Sequence, residues 1–160
     1  MTFFKISKAM ELVAGAASLD SVTKELMALI VDPDVARVAN KYGVKFSPVE
    51  GNEFALTASV HRRIVDVEVQ HAIWNPPGHQ SSDKFLIGKV DLFLRGSGDE
   101  RSEIECGYIF FSTGEFHMSS THIDLDGDVA LDHKIAIRDA LSQMILLSVQ
   151  EKLPRKDGWS

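Results

Sequence analysis

The stretch VDVEVQHAIW, residues 65–74, decides the fold because its apolar and polar side chains alternate. Val65, Val67 and Val69 fall on one side of an extended chain, and Asp66 and Glu68 fall on the other. This alternation is typical of a strand that has one face on a core and one face towards water. Burial on one side is in turn typical of antiparallel sheets. The stretch therefore predicts a strand of an antiparallel sheet.

Further strands are predicted on both sides of this stretch. Residues 52–63 fit a helical period as well, but the alternation of Phe54, Leu56 and Ala58 favours a strand. Three more strands are predicted near residues 84–95, 102–112 and 116–125. They are separated by the turn-rich segments GSGDE and Thr-Gly, which are typical hairpin connections. Residues 44–127 are thus predicted to form an antiparallel β-meander of about four to five strands.

Helices are predicted at both ends of the chain, which gives an α+β fold class. Three helices are predicted in the N-terminal part, residues 1–43. Two of them are indicated by apolar residues at helical spacing, the first by Ile6, Met10, Val13 and Ala17 and the second by Val22, Leu26, Leu29 and Ile30. The third has end signals, with Asp32 as N-cap, Pro33 in the first turn and Gly43 at the end. A long C-terminal helix, packed on the sheet, is predicted over residues 128–153, where Pro154 stops it. The prediction is one domain over residues 1–160, with 154–160 as a tail.

Composition restricts the location and the partners. The 160 residues carry a formal net charge of −6, and an acidic surface repels nucleic acids and anionic membranes, so neither is an expected partner. The lone cysteine, Cys106, forms no internal disulfide, and Glu11 interrupts the apolar segment that a secretory signal needs. A cytoplasmic location is therefore expected. No cofactor is expected, because no glycine-rich phosphate loop or similar motif is present.

The stretch THIDLDGDVALDH, residues 121–133, is the densest group of titratable side chains. A metal site there would use His122, Asp124, Asp126 and Asp128, and a catalytic site would use His117, His122 and Asp124. The spacing misses the calcium-loop template, which requires glycine and glutamate where Val129 and Ile135 stand. A half-exposed strand, an Asp-Gly turn and a helix cap at Asp128 or Asp132 explain the same residues. The structural interpretation is preferred, and the metal site is the alternative.

Two weaker patterns give the alternative functions. The triplets His79-Gln80-Ser81 and His117-Met118-Ser119 resemble the paired His-x-Ser signatures of two-histidine phosphoesterases. That resemblance implies a phosphoesterase in which one histidine acts as base and the other as acid, although Pro76 and Pro77 keep His79 out of a central strand. With the acidic stretch, it makes a metal-dependent hydrolase or phosphoesterase using the His117 to Asp128 region the alternative function. The long segment after the strand at 65–74 predicts a ligand-binding loop with Trp74, Asn75 and His79. Val35 to Ser47 resembles the start of a helix-turn-helix, which makes a DNA-binding regulator the third hypothesis.

The preferred hypothesis rests on a surplus of apolar faces. Ile87 and Phe93 lie on the side of the sheet opposite Val90 and Leu92, so both faces of the middle strands need cover. The C-terminal helix has a second apolar stripe, which together with the tail predicts an interface of Ile135, Leu146, Val149, Leu153 and Trp159. The N-terminal helices could supply this cover instead. The sequence favours a small soluble binding or protein-interaction domain that forms a homo-oligomer or binds another protein, over an enzyme.

Overall fold

The computed structural model describes residues 2–38, 40–74, 85–110, 115–118, 129–130 and 134–158. It confirms the predicted α+β fold: two helices, α1 (Thr2–Val31) and α2 (Pro33–Val38), precede an antiparallel sheet, and α3 (Lys134–Glu151) follows it. The strands of the sheet are β1 (Lys45–Val49), β2 (Asn52–Val60), β3 (Arg63–Trp74), β4 (Phe85–Arg95), β5 (Arg101–Phe110), β6 (Glu115–Met118) and β7 (Val129–Ala130).

The sheet is a meander in which each strand pairs with the next in the order β1 to β7. Val65 lies opposite Leu94, and Val67 lies opposite Leu92, so the period-two pattern of β3 continues into β4. Both valines are fully buried, and Asp66 between them is only half-buried. The one-sided strand predicted from residues 65–74 is therefore present. Strands β1 to β5 form the main body, and the short β6 and β7 extend one edge.

The structure corrects several predicted boundaries. The first two predicted helices form one continuous helix of 30 residues, because the intervening segment SLDS, residues 18–21, contains no proline or glycine. The third ends at Val38, well before Gly43. Strand β1 was missed, since Pro48 argues against a strand unless that strand lies at an edge. Residues 129–130 pair with β6, so the C-terminal helix begins at Lys134 and not at Asp128.

Both long helices pack on the same face of the sheet. The core consists of one side of α1, one side of α3 and the alternate side chains of the strands: Leu19, Leu26, Ile30, Leu56, Val65, Val67, Val90, Leu92, Ile137, Leu141, Met144 and Val149 are among its members. Two polar contacts join α3 to the N-terminal part of the chain: one to α1, and one to Tyr42 in the turn before β1. The Arg138 side chain donates from Nε to the Ile30 carbonyl oxygen at 3.0 Å, and the Tyr42 hydroxyl donates to Gln143 Oε1 at 3.3 Å.

Candidate functional site

The predicted metal and catalytic residues fall almost entirely outside the described residues. His117 belongs to β6, where it pairs with Ile109 of β5. His122, Asp124, Asp126 and Asp128 lie outside the described ranges. Within those ranges, no group of three His, Cys, Asp or Glu side chains is placed to hold a metal ion. The hydrolase hypothesis therefore stays a prediction from sequence.

The predicted ligand-binding loop is described only at its borders. Trp74 ends β3 and Phe85 begins β4, and their ring centroids lie 6.3 Å apart at an interplanar angle of 45°. Phe85 is exposed. Asn75 and His79 lie outside the described residues. The tilted ring pair is a favourable aromatic contact that joins the two strands at this end of the sheet.

The interface predicted on α3 is largely covered by the chain itself. Val149 is 0% exposed within the core, so its side chain is not available to a second subunit. Leu146 and Leu153 are partly buried against the same core, and Trp159 lies outside the described residues. Only Ile135 is exposed. The reason is that the sheet and α1 together surround α3, so both of its apolar stripes find partners within the chain.

Part of the outer face of the sheet, the face opposite the helices, carries ion pairs. Arg95 donates to both carboxylate oxygens of Asp66, with Nη2 to Oδ1 at 2.6 Å, and Arg101 donates to the Glu68 carboxylate. These hydrogen bonds raise the pKa of both guanidinium groups. The Arg101 guanidinium carbon also lies 4.1 Å from the centre of the Phe93 ring. Phe93, which the sequence marked as needing cover, is therefore shielded by an arginine of its own sheet.

A row of exposed apolar side chains lies on the first half of α1. Ile6, Met10 and Val13 are 55%, 67% and 73% exposed. Among the side chains that the structure describes in this helix, the first buried one is Leu19. We call Ile6, Met10, Val13 and Ala17 the α1 stripe. Large exposed aliphatic side chains in a row are uncommon on a monomer and are typical of an interaction surface.

The α1 stripe cannot reach the sheet that buries the second half of the same helix. Side chains advance by about 100° per residue along an α-helix. On that geometry the stripe points about 150° away from the direction of Leu19, Leu26 and Ile30, which pack on the sheet. The apolar side of α1 thus changes midway along the helix. The sheet that buries the second half of α1 therefore does not cover the α1 stripe.

Two charged side chains and a glycine lie on the opposite side of this half-helix. Lys8 and Glu11 form an ion pair at 3.5 Å, and both lie away from the α1 stripe. A Cβ added at Gly15, on the same polar side, would meet no atom within 4 Å. The residues that flank the stripe include Ala9, Ala14 and Ala16, which are small and uncharged. A second helix could therefore approach the stripe closely without meeting a charge.

A shallow cavity of about 250 Å³ lies between α1 and the β1–β2 hairpin. Its floor is apolar, with Met27, Val31 and Leu56 among the lining residues. At its border Lys24 and Glu53 form an ion pair at 3.2 Å, so these two charges compensate one another. The cavity offers an apolar surface without an unpaired charge to orient a ligand.

No family model, curated protein or solved structure matches the chain. No helix in the described part of the chain is long and apolar enough to cross a membrane.

Proposed function

We propose that the chain is a protein-interaction domain that assembles with a second copy of itself through the α1 stripe. The observation that carries the proposal is the exposure of Ile6, Met10 and Val13 on a side of α1 that its own sheet cannot reach. Fully burying one such side chain contributes about 1.5–3 kcal/mol. Association is therefore favoured wherever a complementary surface is available.

The α1 stripe is complementary to itself. Its residues are spaced by four, three and four positions, which is the a/d spacing of a coiled-coil seam. If two copies pair in antiparallel orientation, Ile6 lies opposite Ala17 and Met10 lies opposite Val13 of the other copy. Each large side chain at the ends then meets a small one. A two-fold dimer needs this self-complementarity, since the same patch is used twice.

The charges of the helix agree with this arrangement. The ion pair of Lys8 and Glu11 lies on the side of α1 opposite the stripe, so a second copy that packs on the stripe does not bury this pair. Antiparallel helices also place opposite ends of their dipoles together. The seam extends over about three turns, which is short for a coiled coil. The dimer is therefore expected to be weak and to dissociate on dilution.

The test is sedimentation velocity of the full chain over a wide range of protein concentration. The unmodified chain should shift from monomer to dimer as its concentration rises. Val13→Glu should keep it monomeric, because a carboxylate in the seam would be buried without a partner. Gly15→Glu is the matched control: it adds the same charge to the same helix, on the side away from the stripe, and should leave the dimer intact.

The same measurement separates this surface from the one predicted on α3. Ile135→Glu adds a charge at the exposed residue of that predicted interface and should not affect the dimer. A dimer that Ile135→Glu disrupts and Val13→Glu leaves intact would move the interface to α3. A chain that stays monomeric at every concentration would end the proposal.

A further inference from the structure

The β2–β3 turn has an unusual backbone for its sequence. Val60 and Arg63 pair as the last residues of the two strands, so the loop is only His61 and Arg62. Their φ angles are 52° and 62°, both in the left-handed region. Two successive positive φ values define the type I′ hairpin turn, for which Asn-Gly is the usual sequence. Positive φ is uncommon for a residue such as arginine, and it costs free energy.

The strained turn is held in place by the end of α3. His61 Nε2 lies 3.1 Å from Gln150 Nε2, close to where α3 ends at Glu151. This contact joins the tip of the hairpin to the C-terminal end of the helix. Strained non-glycine residues that are held by their surroundings occur preferentially at functional sites. His61 and Arg62 place an imidazole and a guanidinium group at this turn, which the usual sequence Asn-Gly would lack.

The second observation concerns the cations of the molecule. Most described Lys and Arg side chains are paired, as in Lys24–Glu53, Arg37–Asp34 and Arg95–Asp66. In the described part of the chain, the lysines and arginines whose side chains have neither an ion pair nor a hydrogen bond are Lys45, Arg62, Arg63, Lys152 and Arg155. We call these five residues the basic patch.

The basic patch gathers around the strained turn. Arg62 and Arg63 belong to the turn itself, and Lys45 pairs with Ser59 two residues before it. Lys152 and Arg155 follow Gln150, the residue that contacts His61. Unpaired cations are thus brought to one end of a chain whose net charge is −6. Cations without partners at one end of the molecule are not needed for the solubility of an acidic chain.

We propose that the basic patch binds a short acidic segment of another polypeptide. The patch has the charge to pair with carboxylates, and arginine makes bidentate hydrogen bonds to them. A nucleic acid fits less well, because the remainder of the acidic molecule repels a long polyanion. The next turn at this end of the sheet, between β4 and β5, also contains Asp99 and Glu100. These two carboxylates limit the extent of the positively charged surface, so it suits an acidic segment of only a few residues.

The experiment measures binding of a fluorescently labelled octaglutamate peptide to the full chain by anisotropy at low salt. The unmodified chain should bind the peptide, and affinity should fall as salt rises, because exposed charges are screened. Arg62→Gln with Arg63→Gln should weaken binding about tenfold, the loss expected from removing two exposed ion pairs. The matched control, Lys8→Gln with Arg37→Gln, removes the same charge elsewhere and should leave binding unchanged.

A second variant tests the purpose of the strained turn. His61→Asn with Arg62→Gly supplies the residues that a type I′ turn favours, so the melting temperature should rise while peptide binding falls. If the turn is only structural, stability rises and binding does not change, and the proposal is overturned. It is also overturned if the control pair weakens binding equally, or if octathymidine DNA binds as tightly as the peptide. The Val13→Glu variant, which is expected to be monomeric, should still bind the peptide. Peptide binding and self-association can therefore succeed or fail independently of one another.

Discussion

Arg138 is a cation buried between α3 and the end of α1, where its Nε donates to the Ile30 carbonyl oxygen. That carbonyl belongs to the last turn of α1 and has no partner within its own helix. The guanidinium carbon also lies 5.1 Å from the centre of the Phe46 ring. Burial lowers the pKa of Arg138. One side chain thus joins α3, α1 and β1.

Arg138→Ala should lower the free energy of unfolding by about 2 kcal/mol, because it leaves a buried carbonyl without its donor and removes packed methylene groups. Denaturation by urea, followed by circular dichroism, measures the difference. Arg37→Ala is the control, since its ion pair with Asp34 is exposed and should contribute less than about 1 kcal/mol. Equal effects of the two substitutions would show that the buried contact has no special importance.

Single residues were predictable where their chemistry acts locally. Asp32 was predicted as an N-cap, and its Oδ1 accepts a hydrogen bond from the Asp34 amide at 2.8 Å. The turn at His61 and Arg62 was not predictable, because neither residue is a signal for positive φ. Its conformation follows from the pairing of β2 with β3. Local propensity opposes that conformation, so the sequence alone favours a different backbone there.

Among the elements, β1 is the edge strand most exposed to unwanted pairing. It is the first in the sheet order and has only β2 as a neighbour. Proline has no amide hydrogen to offer to a strand from another molecule, and Lys45 adds a charge at the start of the strand. We therefore expect Pro48 to protect this edge from pairing with strands of other molecules.

Pro48→Val should increase aggregation on storage, because it restores an amide hydrogen at an open edge while it keeps an apolar side chain. Static light scattering over time, at a temperature where the protein is folded, records the effect. Ser47→Val is the control in the same strand, since it adds a β-branched apolar residue but restores no edge donor. More aggregation in the control than in Pro48→Val would contradict the protective role of the proline.

The helices show how far element prediction from sequence can go. The apolar stripes of α1 were recognised, but they were assigned to two helices, whereas they are two differently directed sides of one helix. When an apolar stripe changes direction, either the helix is broken there or one helix packs against two different partners. Only the tertiary packing distinguishes these two cases. In the same way, the second stripe of α3 was assigned to an interface, although Val149 is buried in the core. Amphipathic patterns indicate that a side is covered, without indicating what covers it.

For the whole molecule, the division of α1 predicts that its first half is dispensable for folding. The first buried side chain described in α1 is Leu19, and the core members of the helix follow it. A chain that lacks residues 1–17 should keep its cooperative melting, with a melting temperature within a few degrees of the full chain. In sedimentation velocity it should remain monomeric at concentrations where the full chain dimerises. A truncated chain that fails to fold would show that this segment supports the core.

At this scale the fold was predictable and the functional surfaces were only partly so. Alternation in β3 and helical periods at both ends define an α+β meander, because each is a local pattern. The placement of α1 and α3 on one face of the sheet, and the ion pairs of Asp66 and Glu68 on the other, depend on contacts distant in sequence. A second copy as partner was predicted from surplus apolar surface. The residues now proposed for that contact differ, since the burial of Val149 depends on tertiary packing.

The position of α3 at the end of the described fold has a consequence during synthesis. Met144, Ile145 and Val149 fill the centre of the core, yet ribosomes make them after every strand of the sheet. Until they emerge, α1 is the helix of the described chain that shields the apolar side of β2 to β5 from other nascent chains. Ribosome-bound intermediates that stop short of residue 134 are accordingly the species on which chaperones should act, and premature termination there should yield insoluble product.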